Sequence, residues 1–190
     1  MKKSTLTVIG IIGIIVIGIV GYFIATYNSL ATAENSVDAK WSQVENVMQR
    51  RADLIPNLVN SVKGSMQHET EIFSAITEAR KEYNQASTPS EKVAADDKID
   101  QSVGTMVSVI KESYPQLASN ENVKTLMTQL EGTENRISVE RKNYITEVQS
   151  YNQNLVRFPK NIVAKMLGFE KKANFKADAG AEKVPDVSFE

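Results

Sequence analysis

From Ser36 onward the apolar positions step by threes and fours, the spacing of one face of an α-helix. Val37, Trp41, Val44, Met48 and Ile55 form the first row, and Leu58, Val62, Met66, Phe73, Ile76 and Tyr83 a second. A third holds Ile99, Val103, Met106, Ile110, Tyr114 and Leu117. The fourth runs through Leu126, Leu130, Ile137, Tyr144, Val148, Tyr151, Leu155 and Phe158. Its steps average about 3.5 residues, as left-handed bundle packing requires. No window alternates apolar with polar positions, so no sheet is expected.

Breakers divide these rows. Pro56 is expected to kink or restart the first long helix, because it removes a backbone donor and crowds the preceding turn. Residues 84–90, NQASTPS, give the first clear turn, with Ser90, Lys92 and Val93 opening the next helix. Pro115 and Ser119-Asn120-Glu121-Asn122 give the second, and Pro159 ends the last long helix. A short helix is expected at Ile162 to Leu167, with Gly168 as its C-cap. A helix from Asn120 to Phe158 would measure about 60 Å, and short turns make sequential helices antiparallel neighbours.

Ahead of the rows, residues Leu6 to Ala25 read LTVIGIIGIIVIGIVGYFIA, without a charge. At about 1.5 Å per residue this crosses the roughly 30 Å hydrocarbon core of a bilayer. Only a helix satisfies its own backbone there, so a transmembrane helix through residues 6–25 is expected, with Tyr22 and Tyr27 at the far interface. Lys2 and Lys3 precede the span, whereas Thr26 to Glu45 holds only Lys40. The positive-inside rule then places the N-terminus in the cytoplasm and the large domain on the extracytoplasmic side. The competing reading is a signal peptide cleaved after Ala33, since Ala31-Thr32-Ala33 has the small-x-small form. Gly10, Gly13, Gly18 and Gly21 share an arc of about 140 degrees at 100 degrees per residue. They offer a smooth face for self-association, although glycine is common in membrane helices in any case.

The expected fold is therefore all-α: an N-terminal transmembrane helix followed by an elongated antiparallel bundle of three to four long helices, the first free to continue from the span. Residues 1–5 form a short basic N-terminus, 6–25 the span, 26–168 the bundle, and 169–190 a mobile C-terminal tail. Phe169, Phe175, Val187 and Phe189 are the tail's sparse large apolar groups.

Composition removes much chemistry. The chain has 190 residues with 22 basic and 23 acidic side chains, a net charge of -1 that lacks the basic footprint of a nucleic-acid binder. It has no cysteine and one histidine. That excludes disulfides, thiol catalysis and any site needing two histidines from one chain. His68 stands in Met66-Gln67-His68-Glu69-Thr70-Glu71 with Ile72 where HExxH needs its second histidine. It reads as a surface or bundle-edge residue. No GxSxG elbow, P-loop or dinucleotide fingerprint exists among the isolated glycines Gly64, Gly104, Gly132, Gly168 and Gly180. Glu131, Glu134 and Glu140 share a helix, but acids on a bundle surface are ordinary. No residue is assigned a catalytic, cofactor-binding or metal-ligating role, and no cofactor is expected.

Some polar residues do look specified. Asn57, Asn60, Lys63 and His68 interrupt an apolar helix, and Thr133, Glu134, Asn135 and Arg136 sit between Leu130 and Ile137. Buried polar pairs fix helix register. Arg50 and Arg51, beside Asp53, are candidates to pair with Glu134 or Glu140 across the bundle.

The strings around these residues also carry a resemblance. Tyr27-Asn28-Ser29-Leu30, Trp41-Ser42, RRADLIPNLVNSVKG from Arg50 to Gly64, and His68-Glu69 are similar to the LemA family of bacterial membrane proteins. Tyr114-Pro115 with Leu117, Thr133-Glu134-Asn135-Arg136-Ile137, Arg141 with Tyr144, Tyr151-Asn152, Phe158-Pro159 and Gly168-Phe169 extend the likeness from about Tyr27 to Phe169. Ser65 replaces the usual aromatic after Gly64, and the glycine-rich span is longer than many. The resemblance implies an anchor followed by a helical domain. It brings no established activity, and some members are described with the domain on the cytoplasmic side.

Three functions are compatible with these readings. One is a non-enzymatic scaffold or interaction module of the bacterial envelope, holding an unidentified protein partner. Another is an accessory or regulatory subunit of a membrane-bound peptidase or envelope-stress system. The third is an enzyme acting on envelope polymer, which requires a cleft with two opposed carboxylates.

Overall fold

The computed structural model describes residues 2–174, with side chains from residue 6 onward. The side chains of Lys2 and Lys3, and tail residues such as Phe175, Val187 and Phe189, lie outside the described residues. Six helices form, and no strand occurs among the described residues: α1 (Lys2–Val62), α2 (Thr70–Gln85), α3 (Pro89–Ser113), α4 (Pro115–Ala118), α5 (Glu121–Val156) and α6 (Lys160–Met166).

The apolar segment continues without a break into the first bundle helix as α1, which also passes through Pro56. No restart occurs there. The flanking Ile55 and Leu58 are fully buried, and their packing offsets the roughly 3 kcal/mol that an interior proline costs. The second apolar row is divided instead. Between α1 and α2, Lys63–Glu69 forms a turn closed by Ser65 and Met66 N–H groups donating to the Val62 carbonyl, each at 3.0 Å. Met66 is fully buried and pins this turn to the core, whereas His68 is exposed, as expected of a surface histidine.

The next helix opens slightly earlier than Ser90. Thr88 is the N-cap of α3, Pro89 its first residue, and Glu91 completes a capping box. At the other end Tyr114 turns the chain into α4, and its hydroxyl donates to Glu69 Oε1 at 3.1 Å, tying this corner to the Lys63–Glu69 turn. The Asn120 side chain caps α5 by accepting from the Asn122 and Val123 N–H groups. Gly168 ends α6 at φ +76°, and the Phe169 N–H donates to the Ala164 carbonyl at 3.0 Å. This left-handed cap favours glycine, which adopts a positive φ without steric cost.

Two compact units partition the described chain. The first combines residues 2–40 with Tyr144–Asn174, and the second comprises residues 41–143. Leu30, Val37, Val148 and Tyr151 anchor the core of the first. In the second, α2 and α3 form a hairpin packed along its length, and Met48, Ile55, Ile99, Met106, Ile110 and Ile137 are essentially inaccessible.

The segment read as the start of the tail is docked within the first unit as far as Asn174. The Phe169 ring lies 6.0 Å from that of Tyr27. Asn152 brackets the Lys172 backbone, donating to its carbonyl at 2.8 Å and accepting from its N–H at 3.0 Å. The Lys172 ammonium is 2.9 Å from Glu34 and 3.7 Å from Asp38. Its hydrogen bond to Glu34 raises its pKa.

Candidate functional site

Charged residues on three helices of the second unit converge on Arg51. Its position in α1 falls in the apolar series of Val44, Met48, Ile55 and Leu58, so helical geometry turns the guanidinium inward. Asp96 occupies the equivalent place in α3 between Val93 and Ile99. Arg51 is 2% exposed and Asp96 0%, and charges this deep persist only when paired and hydrogen-bonded.

The pairing uses every donor of the guanidinium. Nε donates to Asp96 Oδ1 at 3.1 Å, while Nη2 meets Asp96 Oδ2 and donates to the Asp96 carbonyl at 3.0 Å. Nη1 donates to Asp100 Oδ1 at 2.8 Å and also to Glu134 Oε2. From α5, Arg141 donates to Asp96 Oδ2 at 3.0 Å and pairs with Asp97 Oδ1 at 2.7 Å. The expected pairing of Arg51 with Glu134 is present. Arg50 is exposed, Glu140 accepts from Asn143, and Asp53 accepts from Gln49. Asp96, Asp97, Asp100 and Arg141 complete a site for which sequence reasoning named only Arg51 and Glu134 as partners.

Within this set, Arg51 and Arg141 face Asp96, Asp97, Asp100 and Glu134, an excess of two negative charges. Burial works to lower the Arg51 pKa, but the hydrogen bond with Asp96 and the charges of Asp96, Glu134 and Asp100 outweigh it and hold the guanidinium charged. Burial pushes Asp96 above the ordinary carboxylate range, while Arg51 and Arg141 pull it back. Burial also raises Glu134 above its ordinary 4.5, with Asp100 and Asp96 adding to the rise against Arg51.

The sign of the Glu134 shift gives a pH dependence. A carboxyl whose pKa rises on folding contributes stability below its unfolded pKa, and that contribution is lost as pH rises through the folded value. Glu134→Gln should therefore match the parent protein near pH 4 and become the more stable of the two by pH 8. Because Glu134 is 42% exposed, solvent screening holds the difference to less than about 1 kcal/mol. Urea unfolding at a series of pH values measures it. A difference that does not change with pH would contradict the assignment.

Beside the network, α3 and α5 enclose a groove of about 390 Å³. Val103 and Val107 from α3, with Met127 and Leu130 from α5, supply its apolar lining. Asp100 and Glu134 stand at one end, and Lys111 and Lys124 at the other. A Cβ added to Gly104, which also borders the groove, would meet nothing within 4 Å. The two carboxylates lie side by side on one Arg51 nitrogen rather than on opposite sides of a cleft, so this is not the arrangement of paired carboxylates flanking a scissile bond. Among the described residues, no group of three or more His, Cys, Asp or Glu side chains is placed to hold a metal ion.

In the first unit, the apolar window at the start of α1 has none of its residues buried and is long enough to cross a membrane. Cβ atoms built on Gly10, Gly13, Gly18 or Gly21 meet nothing within 4 Å.

Magnetosome proteins MamQ 1 and MamQ 2 of Paramagnetospirillum magneticum are each 27% identical over 183 aligned residues, covering 80% of this chain and 67% of theirs. Magnetosome protein MamQ of Magnetospirillum gryphiswaldense is 25% identical over 171 residues, covering 76% of this chain and 62% of its own. The LemA family model matches residues 40–189. The chain belongs to the LemA family of single-pass bacterial membrane proteins.

Proposed function

We propose that this protein is a non-enzymatic, membrane-anchored scaffold of the bacterial envelope, and that it holds a partner protein in the groove between α3 and α5. The observation that carries this reading is the groove's polarity: an apolar lining, an acidic end at Asp100 and Glu134, and a basic end at Lys111 and Lys124. Asp100 and Lys111 are about 16 Å apart along α3. The partner is an amphipathic helix carrying a basic and an acidic residue about three turns apart, laid against the apolar lining. Arg51 spends its donors on intramolecular acceptors, so its part is to fix the groove walls.

Residues 26–168 act as the LemA-like functional domain, on the extracytoplasmic side by the lysine asymmetry about the span. Packing between the Gly10, Gly13, Gly18 and Gly21 faces of two copies is a second interaction. Its support is the open space over all four glycines. The relatives are named for the magnetosome and for no reaction.

A photo-crosslinking residue at Thr128, which borders the groove, and another at the exposed Ser138 test the docking in living cells. A discrete protein adduct is expected from Thr128 and none from Ser138. Gly104→Trp should fill the groove without breaking α3, and Lys111→Glu with Lys124→Glu should reverse its basic end. Each should reduce the adduct by about tenfold or more, as expected for loss of a central contact. An adduct indifferent to both changes, or none from Thr128, would overturn the groove as the docking site.

A further inference from the structure

We infer that the elbow from Phe158 to Leu167, between α5 and the docked 169–174 segment, is a second membrane-contacting element that inserts among the lipid acyl chains beside the span. An apolar groove of about 410 Å³ lies between the two, lined by Ile15, Gly18, Ile19 and Tyr22 of α1 and by Pro159 and Ile162 of the elbow. The α1 residues belong to the segment that crosses the bilayer. At 1.5 Å per residue, Tyr22 lies about 5 Å and Ile15 about 15 Å inside its Ala25 end. Whatever packs against them is at hydrocarbon depth.

The outward face of the elbow suits that depth. Phe158 is 79% exposed, Met166 68%, and Ile162 and Leu167 48% each. Phe158, Ile162 and Met166 recur every four residues, while Val163 and Ala164 are buried. A cluster of this kind facing water would be a solubility liability. Continuous with the exposed apolar surface of the span, it forms one lipid-facing surface.

Backbone chemistry agrees. Non-spanning backbone enters lipid only when its polar groups are satisfied internally. Pro159 brings no N–H. The Asn161 N–H donates to Arg157, that of Ile162 to Pro159, and that of Leu167 to Val163. Gly168 then turns the chain so that Phe169 donates to Ala164. Lys160 lies where its ammonium reaches the headgroups. Lys160 Nζ is 3.4 Å from Ser29 Oγ, four residues beyond the span, as a snorkelling lysine would be. Arg157 and Lys165 add two more cations, which favours a leaflet containing anionic lipid.

The absence of cysteine from the chain makes single-cysteine labelling direct. The full-length protein carrying Phe158→Cys or Met166→Cys is labelled with an environment-sensitive fluorophore. It is then reconstituted in vesicles of three parts phosphatidylcholine to one part phosphatidylglycerol. Ile14→Cys serves as the span reference and the exposed Gln153→Cys as the aqueous reference, and circular dichroism checks that each variant keeps its helix content. Labels at 158 and 166 should be quenched by spin-labelled acyl chains as at 14. Aqueous iodide should quench them about fivefold less than at 153, as for an interfacial helix sunk below the headgroups. Iodide quenching equal to that at 153 would place the elbow in water. Protection from both quenchers would mean that protein, such as a second copy, covers it. Either result overturns insertion.

Discussion

Replacing Arg51 by alanine should destabilise the second unit by about 3–5 kcal/mol, because it leaves the fully buried Asp96 carboxylate with Arg141 as its one cationic partner and takes the guanidinium from Asp100 and Glu134 at once. For a chain of this size, a loss on that scale lowers the melting temperature by roughly 10–15 °C. Thermal and urea unfolding of the detergent-solubilised chain measure it, read through the single tryptophan, Trp41, which is half-buried in the same unit. The partners should rank by burial. Asp96→Ala should approach the same loss, since it leaves Arg51 with only two carboxylates that are 53% and 42% exposed. Asp100→Ala should cost less than about 1 kcal/mol.

The double replacement Arg51→Met with Asp96→Leu decides what the network is for. A buried ion pair exchanged for well-packed apolar groups is often neutral or stabilising, because the desolvation of both charges is avoided. The double variant should recover most of the stability lost by Arg51→Ala while removing the guanidinium that holds Asp100 and Glu134 at the acidic end of the groove. Stability restored without the Thr128 adduct would assign the network to partner recognition. Stability and adduct both restored would make it a device for helix register alone.

The helical architecture was legible because an amphipathic helix writes its buried face into the residue spacing, and the length and apolarity of residues 6–25 needed only counting. The Lys63–Glu69 turn was not legible because Val62 and Met66, on either side of Gly64, keep helical spacing across it and both remain buried. Pro56 misled in the other direction: its local cost is visible in sequence, while the packing of Ile55 and Leu58 that offsets it is tertiary. At the candidate site the pairing of Arg51 with Glu134 was open to inference, since both fall within runs of apolar core positions. Asp96 carried the same signal, a carboxylate between Val93 and Ile99 on an apolar row. What sequence could not supply was the convergence of three helices, which brings Asp100 and Arg141 to residues 45 or more positions away. The docking of Lys172 depends likewise on Glu34 and Asp38, distant in the chain, rather than on its own polar surroundings.

The anchor carries the second large expected effect. Aspartates at Ile11 and Ile14, both lipid-facing and more than half exposed, should together cost about 5–7 kcal/mol of insertion free energy on the translocon scale. The doubly substituted chain should pass largely into the soluble fraction on alkaline extraction, whereas Ile14→Asp alone should be partly retained. The elbow cannot compensate, because an interfacial element of seven helical residues binds reversibly and gives no stable anchor by itself. The same extraction separates an anchor from a removed signal. If the chain were cut after Ala33, the parent protein would itself appear in the soluble fraction, shortened by about 33 residues, and the aspartates would act on export rather than retention. The structure favours the retained form for a mechanical reason: α1 runs unbroken from the span through Leu30 into Val37, and Leu30 is fully buried. Cutting after Ala33 would remove Leu30 from the core of the first unit and Tyr27 from Phe169. The residues that cross the bilayer and the residues that begin the core therefore share one helix, and an intact full-length chain in the membrane fraction is the expected result.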